Sequence, residues 1–452
     1  MKLDTKLKYA QLYNTSDTVC VVASFPGRTN RSIREIDAIA SYTDHFSQSF
    51  VKELDKRGKK LIILAQKING KEEWYIERGI LVVRVWDKGS PLAFAQILST
   101  LRYFTQVKSM LIQFEFHQFG GNTTTALFPI FLLTLKAIGK TVSLVMHQVV
   151  TDISDLSGHV NIKKSSLMAR FFTYALRVFY KSTTRFADTV TVHNAVLARR
   201  LEQLTGRQDI SVIPHGLGAI HGFCSKIQAR KKLGIPESQF VVLSFGFLTW
   251  YKGSDWIVGE FAKHDKREFR LVMAGGVSPN LKDKPFYQHF VQSIYKKAQN
   301  RKHITISGFV NDKDIALYFA ASDLVVLPYR TLMSSSGPLA MTLAFKKPFI
   351  MSKALLPYTN DPDFSNACTK TGVIPENLSF PLQTQAFWQK IAWAKKNQKK
   401  LARMSTLLKA SRTWDGVSER FADVVEEAGF SYQKKSAILK SPSLISYAPS
   451  HS

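Results

Sequence analysis

Cysteine is scarce: Cys20, Cys224 and Cys368 are the only three in 452 residues. An odd number at no metal-like spacing excludes a disulfide framework and a structural zinc site, and fits a reducing compartment. Long apolar runs are missing as well. The longest candidate, 123–135, is too short to span a bilayer and contains Pro129. The N-terminus starts basic but lacks the apolar core of a signal peptide. These absences lead us to expect a cytoplasmic chain, soluble or peripheral on the inner face of a membrane. Acidic residues are also few, 34 Asp+Glu against 62 Lys+Arg, which leaves a net charge of +28. Up to residue 215 there are 29 basic and 17 acidic groups, and beyond it 33 and 17, so the excess is shared and is not confined to one tail. Such a charge suits nucleic acid, an anionic membrane or phosphorylated small molecules. No recognition-helix or RNA-binding signature accompanies it, so nucleic acid is not expected.

Hydrophobic residues make up 45% and aromatics 12%, enough for packed cores in a chain of this length. Short β-branched runs alternate with amphipathic segments from residue 18 onward. Strands are expected at 18–24, 60–65, 80–86, 110–116, 141–146, 189–193 and 210–214, with helices at 44–57, 91–104 and 123–138. The alternation restarts after Gly216, with strands at 240–245, 270–273, 303–306, 324–327 and 348–352. Helices are expected between them at 255–263, 284–298 and 312–321. Strand–helix alternation implies right-handed βαβ units and parallel sheets, whose ligands sit beyond the carboxyl ends of the strands. The turn-rich Ile213-Pro214-His215-Gly216 marks a hinge. The expected division is an α/β domain at 1–215, a second at 216–430 ending in helices, and a disordered Ser/Lys/Pro-rich tail at 431–452.

Four constellations fall at strand exits. Phe245-Gly246-Phe247-Leu248-Thr249-Trp250-Tyr251-Lys252-Gly253-Ser254-Asp255 opens a helix, with Ser254 or Asp255 as N-cap. Backbone N–H groups, a positive helix end and Lys252 would suit an anion there; a plain strand-to-helix loop with a solvated lysine reads the same. Arg330 and the run Ser334-Ser335-Ser336-Gly337-Pro338-Leu339 follow another strand and suit an oxyanion or sugar hydroxyls, or simply cap a helix. Glu115, His117 and Gln118 cluster at the end of a third strand, ahead of Gly120 and Gly121, and would contact a polar ligand in a cleft, or a Glu–His pair there would hold a loop. His147 ends an apolar strand, either as a satisfied core residue or as a cleft group; His215 sits in the hinge. In 163–185, Arg170, Arg177 and Lys181 share one side of an aromatic-rich helix, which suits anionic lipid or a buried helix with a basic stripe.

In their order and spacing these segments resemble family-4 glycosyltransferases, whose fold is GT-B. The resemblance runs from Ile39-Ala40-Ser41-Tyr42 to Trp414-Asp415-Gly416-Val417. EFHQFGG at 115–121 is similar to the EYGIFGG of one subgroup, VMHQV at 145–149 to its TLHTV strand, and VIPHG at 212–216 to its interdomain signature. SFGFLTWYKG at 244–253 resembles the donor-phosphate loop, and SSGPLAMTLAFKKPFI at 335–350 the SGTLAYALGAGKPVV stretch. By that resemblance the first domain binds an acceptor through Glu115, His117, Gly120, Gly121 and His215. The second binds a nucleotide sugar through Gly246, Gly253, Arg330, Ser335, Ser336, Gly337, Pro338 and Leu339. Lys252 and His147 would be catalytic, and transfer would retain configuration without a metal or other cofactor. The acceptor would be a glycolipid or polysaccharide intermediate, with 163–185 meeting an anionic membrane. Two departures are plain. Phe247-Leu248 stand where the family has an arginine, and no Asp or Glu occurs between Leu324 and Asn360, where it has paired glutamates. They motivate an alternative, a GT-B domain that binds sugar or anionic lipid without turnover.

Overall fold

The computed structural model describes residues 3–27, 38–116, 118–151, 167–218, 222, 224–264, 268–279, 281–332 and 334–440. The first sheet has eight strands: β1 (Thr18–Val22), β2 (Lys60–Gln66), β3 (Glu73–Glu77), β4 (Ile80–Trp86), β5 (Ser109–Phe114), β6 (Thr141–Met146), β7 (Thr189–Val192) and β8 (Ile210–Val212). Their order is β3-β4-β2-β1-β5-β6-β7-β8, and only β3 runs antiparallel, as one arm of a hairpin with β4. Helices α1 (Leu3–Tyr13), α2 (Ala38–Lys56), α3 (Ala93–Leu101), α4 (Asn122–Ala137), α5 (Leu167–Arg185) and α6 (Ala195–Thr205) accompany it. The inner strands are buried on both faces, and so they read as continuous Val/Ile/Leu runs with no alternation.

The second sheet is wholly parallel and has six strands: β9 (Phe240–Phe245), β10 (Phe269–Ala274), β11 (Ile304–Ile306), β12 (Leu324–Leu327), β13 (Phe349–Ser352) and β14 (Ser379–Phe380), ordered β11-β10-β9-β12-β13-β14. Its helices are α7 (Lys226–Leu233), α8 (Ser254–Lys263), α9 (Pro285–Ala298), α10 (Asp312–Ala321), α11 (Gly337–Ala344), α12 (Pro362–Thr371), α13 (Thr384–Lys396) and α14 (Gln398–Ser411). Strand order reverses at β1/β5 in one sheet and at β9/β12 in the other. Those switch points are where open sheets leave a crevice.

Several expectations change. The hairpin strand β3, α1 and β14 were not foreseen. The helices that close the second domain are three, interrupted at Asn397 and at Arg412–Thr413. The last of them, α15 (Trp414–Lys440), runs ten residues into the stretch expected to lack structure. It also leaves the second lobe: Trp414, Val417, Phe421, Val424 and Val425 join one apolar cluster with Phe46, Phe50, Leu61 and Val82 of the first. Apolar burial and the ion pairs of Arg57 and Lys59 with Glu426, at 3.0 and 2.6 Å, tie α15 to α2 and its end.

Candidate functional site

The exit of β9 is built by close backbone approach. Gly246 has φ 106° and donates its N–H to Ala274 O at 2.9 Å. A Cβ on Gly275 would stand 2.0 Å from Gly246 O, so neither turn has room for a side chain. Gly253, with φ 71°, is the N-cap of α8, correcting the expectation of Ser254 or Asp255. Ser254 Oγ instead accepts the Thr249 N–H at 3.1 Å. A Cβ at Gly253 would meet Pro328 O at 2.0 Å, so this loop lies directly on the exit of β12.

That packing aims Lys252. A Cβ placed on Gly246 would be 3.0 Å from Lys252 Nζ and 3.2 Å from Pro338 Cγ, so ammonium, glycine and the first turn of α11 meet. Lys252 Nζ stands 5.6 Å from the Tyr251 ring centre and 6.0 Å from that of Phe247. Among the described residues no carboxylate pairs with Lys252.

The donor-side residues divide by what they touch. Ser336 caps α11, its Oγ accepting from Leu339 N at 3.2 Å and lying 2.8 Å from the Tyr329 hydroxyl. The Arg330 guanidinium is held by both Asp255 oxygens, at 2.7 and 2.9 Å, and by Trp250 O at 2.6 Å. It pins the Lys252 loop and neutralises Asp255, a bidentate task that fits arginine. What remains uncompensated around Gly246 is positive: one ammonium and the N-terminal end of α11.

In the first lobe, Glu115 Oε1 accepts the Gln148 amide at 2.6 Å. Gly120 is pressed against Gly89 and Thr124, whereas Gly121, the N-cap of α4, has open space beside it. His117 lies outside the described residues. His147 is buried, with Nε2 3.2 Å from Gln113 Oε1 and Nδ1 3.2 Å from His193 Nε2. Burial, with His193 and His215 nearby, drives its basicity well below the usual imidazole value. His215 Nδ1 is 2.7 Å from Gly216 O, and burial lowers that imidazole to about 4. The Tyr42 ring packs against His147, His193, His215 and Trp414 at 4.8, 5.4, 4.9 and 5.2 Å between ring centres. Sequence reasoning passed over His193 and Tyr42, although His193 leaves β7 just as His147 leaves β6.

The two lobes touch at these exits. Gln148 forms an antiparallel bridge with Ser334. Asp361 Oδ1 accepts the Ala195 N–H at 2.8 Å, and Arg200 donates to Leu332 O at 2.7 Å. His147 is therefore one residue from a backbone pairing that lies two residues before Ser336. Such a site can hold an anion on the second lobe against a polar rim on the first. No group of three His, Cys, Asp or Glu suited to a metal ion occurs among the described residues.

Comparison with known proteins places this geometry. Residues 225–359, which span the donor-side loops and α7 to α11, match the family model "Glycosyl transferases group 1". An uncharacterized glycosyltransferase of Methanocaldococcus jannaschii is 25% identical over 104 residues, 23% of this chain and 25% of its own length. The chain thus matches about a quarter of that relative. Among solved structures, a sucrose-phosphate synthase from Thermosynechococcus elongatus superposes with TM-score 0.61 at 14% identity, covering 93% of this chain and 100% of that one. A glycosyltransferase from Rickettsia africae gives 0.62 at 15%, over 92% and 99%. Anabaena HepE in complex with UDP and glucose gives 0.58 at 15%, over 90% and 99%. The fold is GT-B, two Rossmann-like lobes facing across a cleft.

Proposed function

We propose, for a chain whose second lobe carries a group 1 glycosyltransferase segment, that it moves a hexose from a nucleoside diphosphate sugar to a glycolipid or polysaccharide-type acceptor, with retained configuration. The observation that carries this is the convergence of Lys252 Nζ, Gly246 and Pro338. One ammonium that no carboxylate pairs among the described residues, and a helix N-terminus, held by glycine-only turns, face a crevice at a topological switch point. A developing diphosphate charge is what such a site stabilises. The leaving phosphate then takes the acceptor's proton, so the chemistry needs no conspicuous base.

In this reading Ser335 and Gly337 present backbone N–H groups to the donor, Leu339 lines the site behind them, and Arg330 and Ser336 position the two loops. The first lobe holds the acceptor near Glu115, His117, Gly120, Gly121 and His215. HepE has been solved with UDP and glucose, which makes a UDP-sugar the first donor to test.

The test is donor hydrolysis and transfer by the purified protein. Lys252→Ala should lower turnover on the order of 10²-fold or more; unchanged turnover removes the phosphate assignment. A second reading, binding without turnover, draws on the engagement of Arg330 by Asp255 and of both His147 nitrogens by interior partners. Calorimetric binding of a nucleotide sugar without product from any acceptor would select it.

The membrane part of the proposal rests on α5. Its exposed side carries Arg170, Arg177, Lys181 and Arg185 interleaved with Phe171, Tyr174 and Val178, with no acidic residue in the helix. Ile130 and Leu133 of the neighbouring α4 are exposed as well. Cations beside bulky apolar groups suit an anionic bilayer surface.

A further inference from the structure

Four adjacent parallel strands end side by side, and each offers one hydrogen-bonding group near its carboxyl end. Gln113 lies in β5, His147 follows β6, His193 follows β7 and Ile213 follows β8. They join in a row. His193 Nδ1 is 2.9 Å from Ile213 O, His193 Nε2 is 3.2 Å from His147 Nδ1, and His147 Nε2 is 3.2 Å from the Gln113 side-chain amide.

The end of the row sets its direction. A carbonyl oxygen can only accept, so His193 must carry its hydrogen on Nδ1. A neutral ring protonated there has a lone pair on Nε2, and His147 Nδ1 must donate to it. His147 Nε2 is then also a lone pair, which Gln113 can satisfy only by turning its NH₂ group toward the ring. Amide oxygen and nitrogen exchange places without altering the packing. Thr43 supplies an independent check. Its hydroxyl donates to Ile39 O at 2.8 Å, leaving its oxygen to accept from the same Gln113 group 3.4 Å away. One amide orientation satisfies both neighbours.

Among the described residues no carboxylate closes the row at either ring. Facing it are the Tyr42 ring of α2, the His215 ring 6.0 Å from His193, and Arg412, whose charge opposes protonation of His193. Burial acts in the same direction.

We infer that His193 is a positioning residue: through a one-directional row of hydrogen bonds ending on the Ile213 carbonyl, it holds His147 as the neutral Nδ1–H tautomer with a lone pair at Nε2. The segment joining the lobes thereby sets the proton position on a side chain at the cleft rim. A ligand hydroxyl that displaced the Gln113 amide would find an acceptor at His147 Nε2, never a donor. This goes beyond the transfer reading, because the tautomers belong to the ligand-free chain whether or not a sugar is moved.

The experiment is side-chain ¹⁵N NMR of the full-length, deuterated protein labelled at histidine, with the His147 signal assigned from its loss in His147→Gln. The expected spectrum has protonated Nδ1 and bare Nε2 on both rings throughout pH 5.5–8. His193→Gln, whose amide oxygen reaches the place of the imidazole Nε2, should leave His147 unchanged. His193→Asn keeps a donor for Ile213 but stops short of His147, and an Nε2–H population should appear there. An Nε2–H signal on His147 in the unsubstituted protein, or a His147 signal unmoved by His193→Asn, overturns the inference. Should His193→Asn fail to fold, the other two spectra still decide it.

Discussion

His147, His193 and His215 stand where the first sheet meets the joining segment, and burial keeps all three neutral, His193 down to about 3 and His215 to about 4. Unfolded imidazoles gain a proton near the ordinary value of 6.5, which the folded ones refuse. Below that pH the unfolded state therefore binds more protons, and stability must fall as pH drops from 6.5 toward 4. Each ring contributes a slope of about 1.4 kcal/mol per pH unit within the window. Asp361, raised to about 6 chiefly by burial, acts in the opposite sense between 3.8 and 6 and offsets part of the loss. Calorimetry between pH 7 and 5 should show a falling Tm, and His193→Gln should flatten the slope by roughly one ring's share. A Tm indifferent to pH would mean these rings are solvated or already charged. The exits of β6 and β7 were visible as apolar runs ending in histidine. That the two rings meet was not, because the two histidines lie 46 positions apart in the chain and only the sheet order makes them neighbours.

Helix α15 shows how one element can belong in sequence to one lobe and in packing to the other. Its first residue, Trp414, lies across Gly216 so closely that a Cβ there would be 2.3 Å from the indole Cε3. Gly216→Ala should therefore overpack the joint and cost about 1–3 kcal/mol, read from the urea midpoint. Adding Trp414→Leu should return part of that loss, because the smaller side chain leaves room for the methyl group. A neutral Gly216→Ala would show that Trp414 does not seat the helix at this joint. The periodicity of α15 was legible, since Val417, Phe421, Val424 and Val425 mark an apolar stripe. Its destination was not, because a stripe says that a face is buried and not against what. The same holds for α5. Sequence spacing placed Arg170, Arg177 and Lys181 on one side, but only the packing of Phe179 and Tyr180 against Phe114 and Phe116 shows which aromatics face inward and which stand beside the cations. Hairpin strand β3 was missed for another reason: its Glu-Trp-Tyr-Ile-Glu lies on the sheet edge, where a single hairpin partner suffices and the long buried run is absent.

At the scale of the molecule, the charge of +28 has two proposed outlets, a phosphate in the cleft and an anionic surface under α5. None of the described helices is long and apolar enough to cross a membrane. Attachment of this kind would therefore be interfacial, weakened by salt as the screening length shortens to about 8 Å at physiological ionic strength. Flotation with vesicles containing anionic lipid should recover the protein, and joint substitution of Arg170, Arg177 and Lys181 by Glu should release it. Equal recovery on neutral vesicles would remove the electrostatic part of the argument.

Two open, mainly parallel sheets, their order along the chain and the strand exits bearing chemistry follow from local pattern: buried strands must be apolar on both faces, and tight turns near a ligand require glycine. Sequence alone could therefore name Gly246, Lys252 and Gly253 as one loop, and Ser335 to Leu339 as another. Only the folded chain decided which of their polar groups remain available. Arg330 is consumed by Asp255 and Ser336 by its own helix, while Lys252 is left without a counter-charge among the described residues. The physical reason is that hydrogen bonds and ion pairs are satisfied by neighbours in space, and those neighbours lie in other strands and in the other lobe, at distances along the chain that no local pattern records.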